Sequence, residues 1–150
     1  MIIQQFDQKL RKWNVLAIGR VVGKKTGELP VQKVIVNGIT KLTFTISAGA
    51  TVNKDGEFIF QRVKCSIYEE RDLRNKAVME FATALNYGDI VMVGGWTRIT
   101  TLTAAETGEK YQVSELRVEW ISKMQPTPAE QQRELPIHGV YQSEEEEFPF

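Results

Sequence analysis

Alternation of apolar and polar residues predicts β-strands over much of this 150-residue chain. Residues 13–23 form an almost continuous apolar run, which is typical of a strand covered on both faces. Residues 31–36 and 41–47 flank the dipeptide Asn37-Gly38, which favours a type I′ turn between two paired strands. Within 41–47 the apolar and polar positions alternate strictly. The first third of the chain therefore predicts a strand followed by a β-hairpin.

The segment Phe58–Tyr68 has the most informative pattern. Its β-branched and aromatic residues predict a strand, and strand side chains alternate between two faces. One face is apolar apart from one amide and carries Ile59, Gln61, Val63, Cys65 and Ile67. The other face combines rings, cations and a hydroxyl, namely Phe58, Phe60, Arg62, Lys64, Ser66 and Tyr68. This second face suits stacking of bases and neutralisation of phosphates, and equally suits cover by a loop or a partner chain.

After Tyr68 the apolar spacing becomes helical over residues 69–86. The residues expected on its apolar face are Leu73, Ala77, Phe81, Ala84 and Leu85. Gly88 follows as a stop signal. Strand patterns return at residues 89–102, where Gly94-Gly95 predicts a kink, and at residues 110–121.

These elements predict a mainly β chain, with a five-stranded OB-fold barrel and one helix between the third and fourth strands. Strands joined by hairpins and bent at glycines can close into a barrel, which removes exposed edges. A half-open β-sandwich is the alternative. We expect residues 1–123 to form one domain, in which the pattern of residues 1–12 fits a strand, a helix or an arm.

Residues 124–150 predict a disordered tail, because prolines and polar runs interrupt any apolar period. The tail also differs in net charge from the rest of the chain. It carries a net charge of −5 and the remaining residues carry +5, although the total is zero. Such asymmetry points to a nucleic-acid or membrane partner and an interaction tail, with simple solubility as the alternative.

The composition argues against several classes of function. A single cysteine, Cys65, excludes an intrachain disulfide, and one cysteine with one histidine cannot form a structural zinc site. We expect Cys65 to be a small buried apolar side chain. The chain has no paired catalytic carboxylates and no Cys–His arrangement, so we expect no enzyme, cofactor or metal. It also shows no signal-peptide pattern and no apolar run long enough for a bilayer, which predicts a cytoplasmic protein without a membrane partner.

Residues 14–123 resemble the bacterial and phage single-stranded DNA-binding proteins that have one OB-fold per chain. The matching segments are residues 14–19, 41–47, 60–65, 87–95 and 107–111. The final run of four glutamates followed by Phe148-Pro149-Phe150 is similar to that family's acidic tip, which ends in an aromatic residue after proline. Each segment alone is a weak signal, whereas the barrel segments and the tip in this order are specific.

The resemblance implies sequence-independent binding and protection of single-stranded DNA in replication, recombination and repair, in a bacterial cytoplasm or that of a phage-infected host. Phe60 falls at a stacking-tryptophan position, and Arg62 at the adjacent basic position. The family's other stacking positions fall on residues without rings, so Tyr68 is the candidate replacement. Trp96 stands where the family has an aliphatic residue, and a partly buried core tryptophan is the alternative there. The resemblance also implies a homotetramer or dimer.

We therefore predict two sites. The predicted contacts with single-stranded DNA are Phe58, Phe60, Tyr68, Trp96 and Tyr111 together with the cations Lys24, Lys25, Lys54, Arg62, Lys64 and Arg98. The predicted partner-binding tip, which would recruit a replication, recombination or repair protein, is Glu144, Glu145, Glu146, Glu147, Phe148, Pro149 and Phe150. The alternative function is an OB-fold adaptor of a replication or recombination complex that binds nucleic acid weakly.

Overall fold

The computed structural model describes residues 1–23, 27–52, 54–104, 106–124 and 135–146. Within these residues it contains eight strands and one helix. The strands are β1 (Ile2–Asp7), β2 (Lys12–Val22), β3 (Gln32–Val36), β4 (Ile39–Val52), β5 (Phe58–Tyr68), β6 (Ile90–Ala104), β7 (Lys110–Lys123) and β8 (Ile137–Glu146). The helix α1 (Leu73–Thr83) lies between β5 and β6.

Five of the strands close into a barrel. The antiparallel pairs are β2 with β4, β2 with β6, β4 with β5, and β6 with β7. A short parallel pairing closes the ring, with Cys65 and Ser66 of β5 opposite Leu116 and Arg117 of β7. The predicted five-stranded barrel, with its helix between the third and fourth strands, is therefore confirmed.

The barrel interior is filled by alternate residues of its strands. On β5 the side chains of Cys65 and Ile67 are buried in the core, whereas those of Arg62 and Lys64 are exposed. Between Arg62 and Cys65 the predicted alternation of the two faces is therefore confirmed, as is the burial of Cys65. Gln61, predicted on the apolar face, is exposed. Ser66 is the exception on the outer face, because its side chain is fully buried.

A two-residue turn joins β3 to β4. Asn37 and Gly38 have φ angles of 50° and 77°, the positive values that a type I′ turn requires. The predicted hairpin is therefore confirmed. The strand predicted over residues 41–47 is longer in the structure, because a register shift between Ser47 and Ala50 lets β4 continue to Val52.

The helix α1 is shorter at both ends than the sequence pattern predicts. The Asp72 side chain caps it by accepting a 2.6 Å hydrogen bond from the backbone N–H of Asn75. Val78 and Ala82 are buried, whereas Leu73, predicted on the apolar face, is 81% exposed at the first helical position. No helix in the described part of the chain has the length and apolarity needed to cross a membrane.

Three strands lie outside the barrel. β1 pairs with β2 along its whole length, and β3 pairs with β4. The first part of β8 runs parallel to β3, and its second part runs antiparallel to β6. Tyr141 lies at the junction, opposite both Val36 of β3 and Ala104 of β6. β8 therefore connects the β3–β4 hairpin to the β6–β7 hairpin.

β8 corrects part of the predicted disordered tail. Ile137 and Val140 are 51% and 53% exposed, so the strand is held by backbone pairing more than by apolar burial. Pairing of this kind needs no apolar period, which is why the sequence pattern did not reveal it. The predicted disorder of residues 125–134 and 147–150 concerns residues outside the described part of the chain.

Candidate nucleic-acid interface

Alternating cations and aromatic rings lie in a row on the barrel surface. Lys12 Nζ is 4.8 Å from the centre of the Trp96 ring, and Arg117 Cζ is also 4.8 Å from it. Arg117 Cζ is 4.3 Å from the Tyr68 ring, and Lys41 Nζ is 5.3 Å from that ring. All four distances lie within the range of cation–π attraction. We call these residues, one from each barrel strand, the cation–ring series: Lys12, Trp96, Arg117, Tyr68 and Lys41.

Strand register brings the members of the cation–ring series together. Trp96 of β6 lies opposite Arg117 of β7, and Arg117 also lies opposite Ser66 of β5. Tyr68 is two residues beyond Ser66 on the same face, and it lies opposite Lys41 of β4. The row therefore runs across the strands rather than along one of them.

Two glycines allow β7 to approach β6 closely at this point. A Cβ on Gly95 would lie 1.8 Å from the carbonyl oxygen of Arg117, and one on Gly94 would lie 2.2 Å from the Trp120 ring. The register between β6 and β7 shifts between these two glycines, which confirms the predicted kink. The shift sets the pairing of Trp96 with Arg117.

A buried ion pair lies at one end of the cation–ring series. Lys41 Nζ is 2.7 Å from Glu115 Oε2, and the two side chains are only 2% and 5% exposed. Lys64 Nζ, on a side chain that is 47% exposed, is 3.4 Å from Glu115 Oε1. Burial alone would raise the pKa of Glu115, but the charge and hydrogen bond of Lys41, the charge of Lys64 and a hydrogen bond from Ser66 lower it overall. The Glu115 carboxylate is therefore favoured in its ionised form beside the two lysines.

Two further groups on β5 are held in their neutral forms. Burial raises the pKa of Tyr68, and the nearby cation of Arg117 opposes this rise without cancelling it. Burial also raises the pKa of the Cys65 thiol well above its usual range, so this thiol is not an activated nucleophile. Among the described residues, no group of three or more His, Cys, Asp and Glu side chains is arranged to hold a metal ion.

The structure brings several predicted DNA contacts onto one surface. Tyr68 and Trp96 are half-buried members of the cation–ring series. Arg62 and Lys64 are exposed on the outer face of β5, and Lys54 is exposed in the turn between β4 and β5. Trp96 is thus partly buried, as the alternative prediction for it states, and it also lies beside two cations.

The remaining predicted contacts are located by strand position. On β5, Phe58 and Phe60 lie opposite Val52 and Ala50 of β4. On the β6–β7 hairpin, Arg98 lies opposite Glu115, and Tyr111 lies opposite Leu102. Lys24 and Lys25 lie outside the described residues.

The predicted tip is described in part. Glu144, Glu145 and Glu146 belong to β8 and lie opposite Thr101, Thr100 and Ile99 of β6. The rest of the tip lies outside the described residues, namely Glu147, Phe148, Pro149 and Phe150. The acidic run therefore begins beside a barrel strand.

The sequence prediction missed Lys12, Lys41, Glu115 and Arg117. Arg117 and Glu115 flank the buried Leu116 on β7. The pattern gave no means of pairing them with residues of other strands, because register between distant strands cannot be read from alternation alone.

Two clefts adjoin the cation–ring series. One has a volume of about 270 Å³ and lies between the series and the start of α1, lined by Ser66, Tyr68, Glu70, Trp96, Arg117 and Glu119 among others. The other has a volume of about 580 Å³ and extends beyond Lys41, lined by Arg62, Lys64, Tyr87, His138 and Tyr141 among others. Rings and cations therefore line both clefts.

No protein-family model matches this chain, and no curated protein matches its sequence. Among solved structures, the Plasmodium falciparum SSB in complex with ssDNA matches at 16% identity with a TM-score of 0.50. The match covers 75% of this chain and 94% of that chain. The two proteins share a fold. The family resemblance seen in the sequence is thereby confirmed at the level of the barrel.

Two other solved structures are similar to this chain. The small single-stranded DNA-binding protein from Streptomyces coelicolor has a TM-score of 0.42 and 14% identity, over 73% of this chain and 92% of that chain. A deletion mutant of the single-stranded DNA binding protein from Thermus aquaticus has a TM-score of 0.45 and 16% identity. That match covers 75% of this chain and 50% of the other.

Proposed function

We propose that this protein binds single-stranded DNA without sequence preference and protects it during replication, recombination and repair. The observation that carries the proposal is the cation–ring series, which crosses all five barrel strands. Proteins that bind single strands without reading sequence combine aromatic stacking surfaces with cations that follow the phosphate backbone. The shared fold with an SSB that was solved in complex with ssDNA supports the same function.

Stacking on flat groups supplies the first part of the binding energy. Tyr68 and Trp96 present rings, and the guanidinium of Arg117 is a planar group on which bases also stack. Each base stacked on a ring contributes about 1–3 kcal/mol. Phe58 and Phe60 belong to the proposed contact set because alternation in the sequence of β5 predicts them on the same face as Tyr68.

Phosphate neutralisation supplies the second part. Lys54, Arg62 and Lys64 are exposed at or beside the outer face of β5. There they contact the phosphates of a DNA strand that is bound across the barrel. Lys41 contributes less charge, because Glu115 already pairs with it. Lys24, Lys25, Arg98 and Tyr111 complete the proposed contact set.

Titration with oligothymidylate at several salt concentrations tests the proposal. We expect quenching of tryptophan fluorescence, because Trp96 belongs to the cation–ring series. If about four phosphates are neutralised per chain, log affinity falls against log salt with a slope near −3. Absence of binding at low salt would overturn the proposal and leave the adaptor function. A slope near zero would contradict the phosphate contacts.

We also propose that residues 144–150 recruit a replication, recombination or repair protein. Four carboxylates and two rings offer charge and an apolar anchor to a pocket with a basic rim. Deletion of residues 144–150 is expected to remove that binding and to leave affinity for oligothymidylate unchanged or higher, because carboxylates repel DNA. Weaker DNA binding by the deleted protein would contradict this role.

Self-association is the last part of the proposal, and it rests on the family resemblance. We propose a homotetramer or dimer in a bacterial cytoplasm or that of a phage-infected host. Sedimentation equilibrium of the full chain, with and without oligothymidylate, measures the mass directly. A monomer at all protein concentrations would exclude both assemblies.

A further inference from the structure

The larger cleft is formed by strands that are not neighbours in the sheet. Arg62 and Lys64 of β5 line it, and so do His138 and Tyr141 of β8. Between β5 and β8 lie β4 and β3, so a flat sheet would hold the two strands about 14 Å apart on an open surface. Because side chains of both strands line one cavity, the sheet is curved at this point. β5 and β8 therefore form two of the walls of the larger cleft.

Two tyrosine rings in this cleft pack against glycines. A Cβ on Gly139 would lie 2.8 Å from the outer part of the Tyr141 ring, and a Cβ on Gly23 would lie 2.3 Å from the Tyr87 ring. Both tyrosines line the cleft, and the side chain of Tyr87 is 43% exposed. A ring that is supported on one side by backbone offers a fixed surface to a flat group on the other side.

Hydrogen bonds hold both tyrosines in place. The Tyr87 hydroxyl donates a 2.8 Å bond to the carbonyl oxygen of Glu28. The Tyr141 carbonyl accepts a 2.9 Å bond from the backbone N–H of Asn37. The rings are therefore positioned before a ligand arrives, which lowers the entropic cost of binding.

The charge of the cleft favours an anionic ligand. Arg62 and Lys64 are exposed cations, whereas the third cation, Lys41, is paired with Glu115. Among the described residues that line the cleft, Glu28 is the one carboxylate, and it accepts a hydrogen bond from Gln32. A ligand that combines a planar group with a negative charge fits these rings and cations, and a nucleotide has both.

The position of the cleft favours a DNA strand over the acidic tip of the same chain. The cleft begins at Lys41, where the cation–ring series ends, so a strand bound along the series continues into it. Glu146 lies five residues beyond Tyr141 on β8, which is about 17 Å along a strand. Residues 147–150 span at most about 14 Å when fully extended, so they are too short to turn back to Tyr141.

We infer that the larger cleft is a second nucleotide subsite, built jointly by the barrel and β8. Tyr87 and Tyr141 stack on bases there, and Arg62 and Lys64 neutralise the adjacent phosphates. The inference rests on the proposed function, because the nucleotides belong to a strand that is already bound along the cation–ring series. It makes β8 a part of the DNA-binding site and not a cover over it.

Oligothymidylates of increasing length test the subsite, over the range of about 4 to 16 nucleotides that one OB-fold binds. Tyr141→Leu removes the flat ring and keeps an apolar side chain. We expect it to bind the longest oligomer about fivefold more weakly, near the low end of the loss for one stacked base. Binding of the shortest oligomer should not change, because that oligomer fills the cation–ring series alone. Tyr141→Phe keeps the ring and should bind both oligomers as the parent protein does.

Phe6→Leu is the matched control for the loss of a ring. Phe6 is half-buried and packs against Trp13, and it lines neither cleft. This variant should bind oligomers of every length as tightly as the parent protein.

A disulfide that fixes β8 to β6 separates a contact role of Tyr141 from a structural role. Thr103 and Gln142 are antiparallel partners, whose Cα atoms are about 4.5–5.5 Å apart in such a pair, within the range that a disulfide spans. Neither residue lines the larger cleft. The variant Thr103→Cys with Gln142→Cys should bind the longest oligomer equally well when oxidised and when reduced. Adding Tyr141→Leu to the oxidised protein should give the same fivefold loss.

Three results would overturn the subsite while oligothymidylate binding itself preserves the proposed function. If Tyr141→Leu binds every oligomer as the parent does, the strand does not enter the cleft. If oxidation weakens binding and reduction restores it, β8 covers the DNA-binding site. If the loss caused by Tyr141→Leu disappears in the oxidised protein, Tyr141 only holds β8 in place.

A synthetic peptide of residues 144–150 tests the other class of ligand. If Tyr141→Leu abolishes binding of this peptide and leaves binding of the longest oligomer unchanged, the cleft takes the acidic tip of another copy and the subsite is wrong. If no oligomer binds to the parent protein, the proposed function itself fails.

Discussion

Lys41 Nζ and Glu115 Oε2 are 2.7 Å apart in a part of the barrel where both side chains are almost fully buried. Lys41 belongs to β4 and Glu115 to β7, and β5 lies between these two strands in the barrel. The ion pair therefore links β4 to β7 across β5. Within the described residues, β5 and β7 are joined there by only two backbone residue pairs. The side-chain contact supports a closure that backbone pairing supports weakly.

Replacing Lys41 should therefore destabilise the barrel. Lys41→Met leaves Glu115 buried with a partly exposed partner, and loss of one member of a buried pair costs about 3–5 kcal/mol. Lys64→Met is the matched control and should cost less than about 1 kcal/mol, because that side chain is 47% exposed. Urea denaturation measures both free energies of unfolding. Equal losses in the two variants would contradict the importance of the buried pair.

The same pair predicts how stability changes with pH. The pKa of Glu115 is lower in the folded protein than in the unfolded chain, so the unfolded chain takes up a proton first as the pH falls. The stabilisation is complete above the unfolded value of about 4.3 and is lost as the pH falls from there through the folded value. Glu115→Gln should lack this part of the acid destabilisation. Urea midpoints between neutral and acidic pH should therefore converge for the two proteins at low pH.

Arg117 should be the most sensitive cation for DNA binding, because it contacts both rings of the cation–ring series. We expect Arg117→Ala to weaken binding of oligothymidylate about tenfold, which corresponds to about 1.4 kcal/mol. Arg117→Lys should recover only part of the loss, since an ammonium group does not stack as a planar guanidinium does. Lys76→Ala, which removes one exposed cation from α1, is the control. If fluorescence titration gives the same affinity for all variants, Arg117 does not belong to the DNA-binding site.

Gly95 should tolerate no side chain, because a Cβ there would lie 1.8 Å from the Arg117 carbonyl oxygen. We expect Gly95→Ala to cost about 2 kcal/mol or more, as overpacking does elsewhere. Gly139→Ala is the comparison, because its Cβ would meet only the outer part of the Tyr141 ring, at 2.8 Å. Thermal unfolding compares the two variants. A Gly95→Ala protein as stable as the parent would mean that β6 and β7 can move apart at the bulge.

The sequence predicted the barrel because its signals are local. Alternation marks the barrel strands, Asn37-Gly38 sets one hairpin, and Gly94-Gly95 marks the bulge. Each of these acts within a few residues, so neighbouring side chains are enough to reveal it. The same reasoning put Tyr68 among the candidate DNA contacts, whereas Trp96 was proposed from the family resemblance.

Local sequence patterns could not predict contacts between strands that lie far apart in the sequence. Arg117 reaches Tyr68 through parallel pairing of β5 with β7, which joins residues 51 positions apart. Lys41 and Glu115 are separated by 74 positions. A one-residue change of register would turn any of these side chains to the opposite face, and alternation does not choose between registers. The centre of the candidate site therefore required the three-dimensional structure.

The route of β8 has a mechanical consequence. Its first residues pair with β3 and its last residues pair with β6, so one short segment joins the free edges of two hairpins. The two hairpins cannot spread without breaking main-chain hydrogen bonds on one side of Tyr141. The distance between the two hairpins therefore depends on β8. If β8 dissociates from either neighbouring strand, the hairpins can separate.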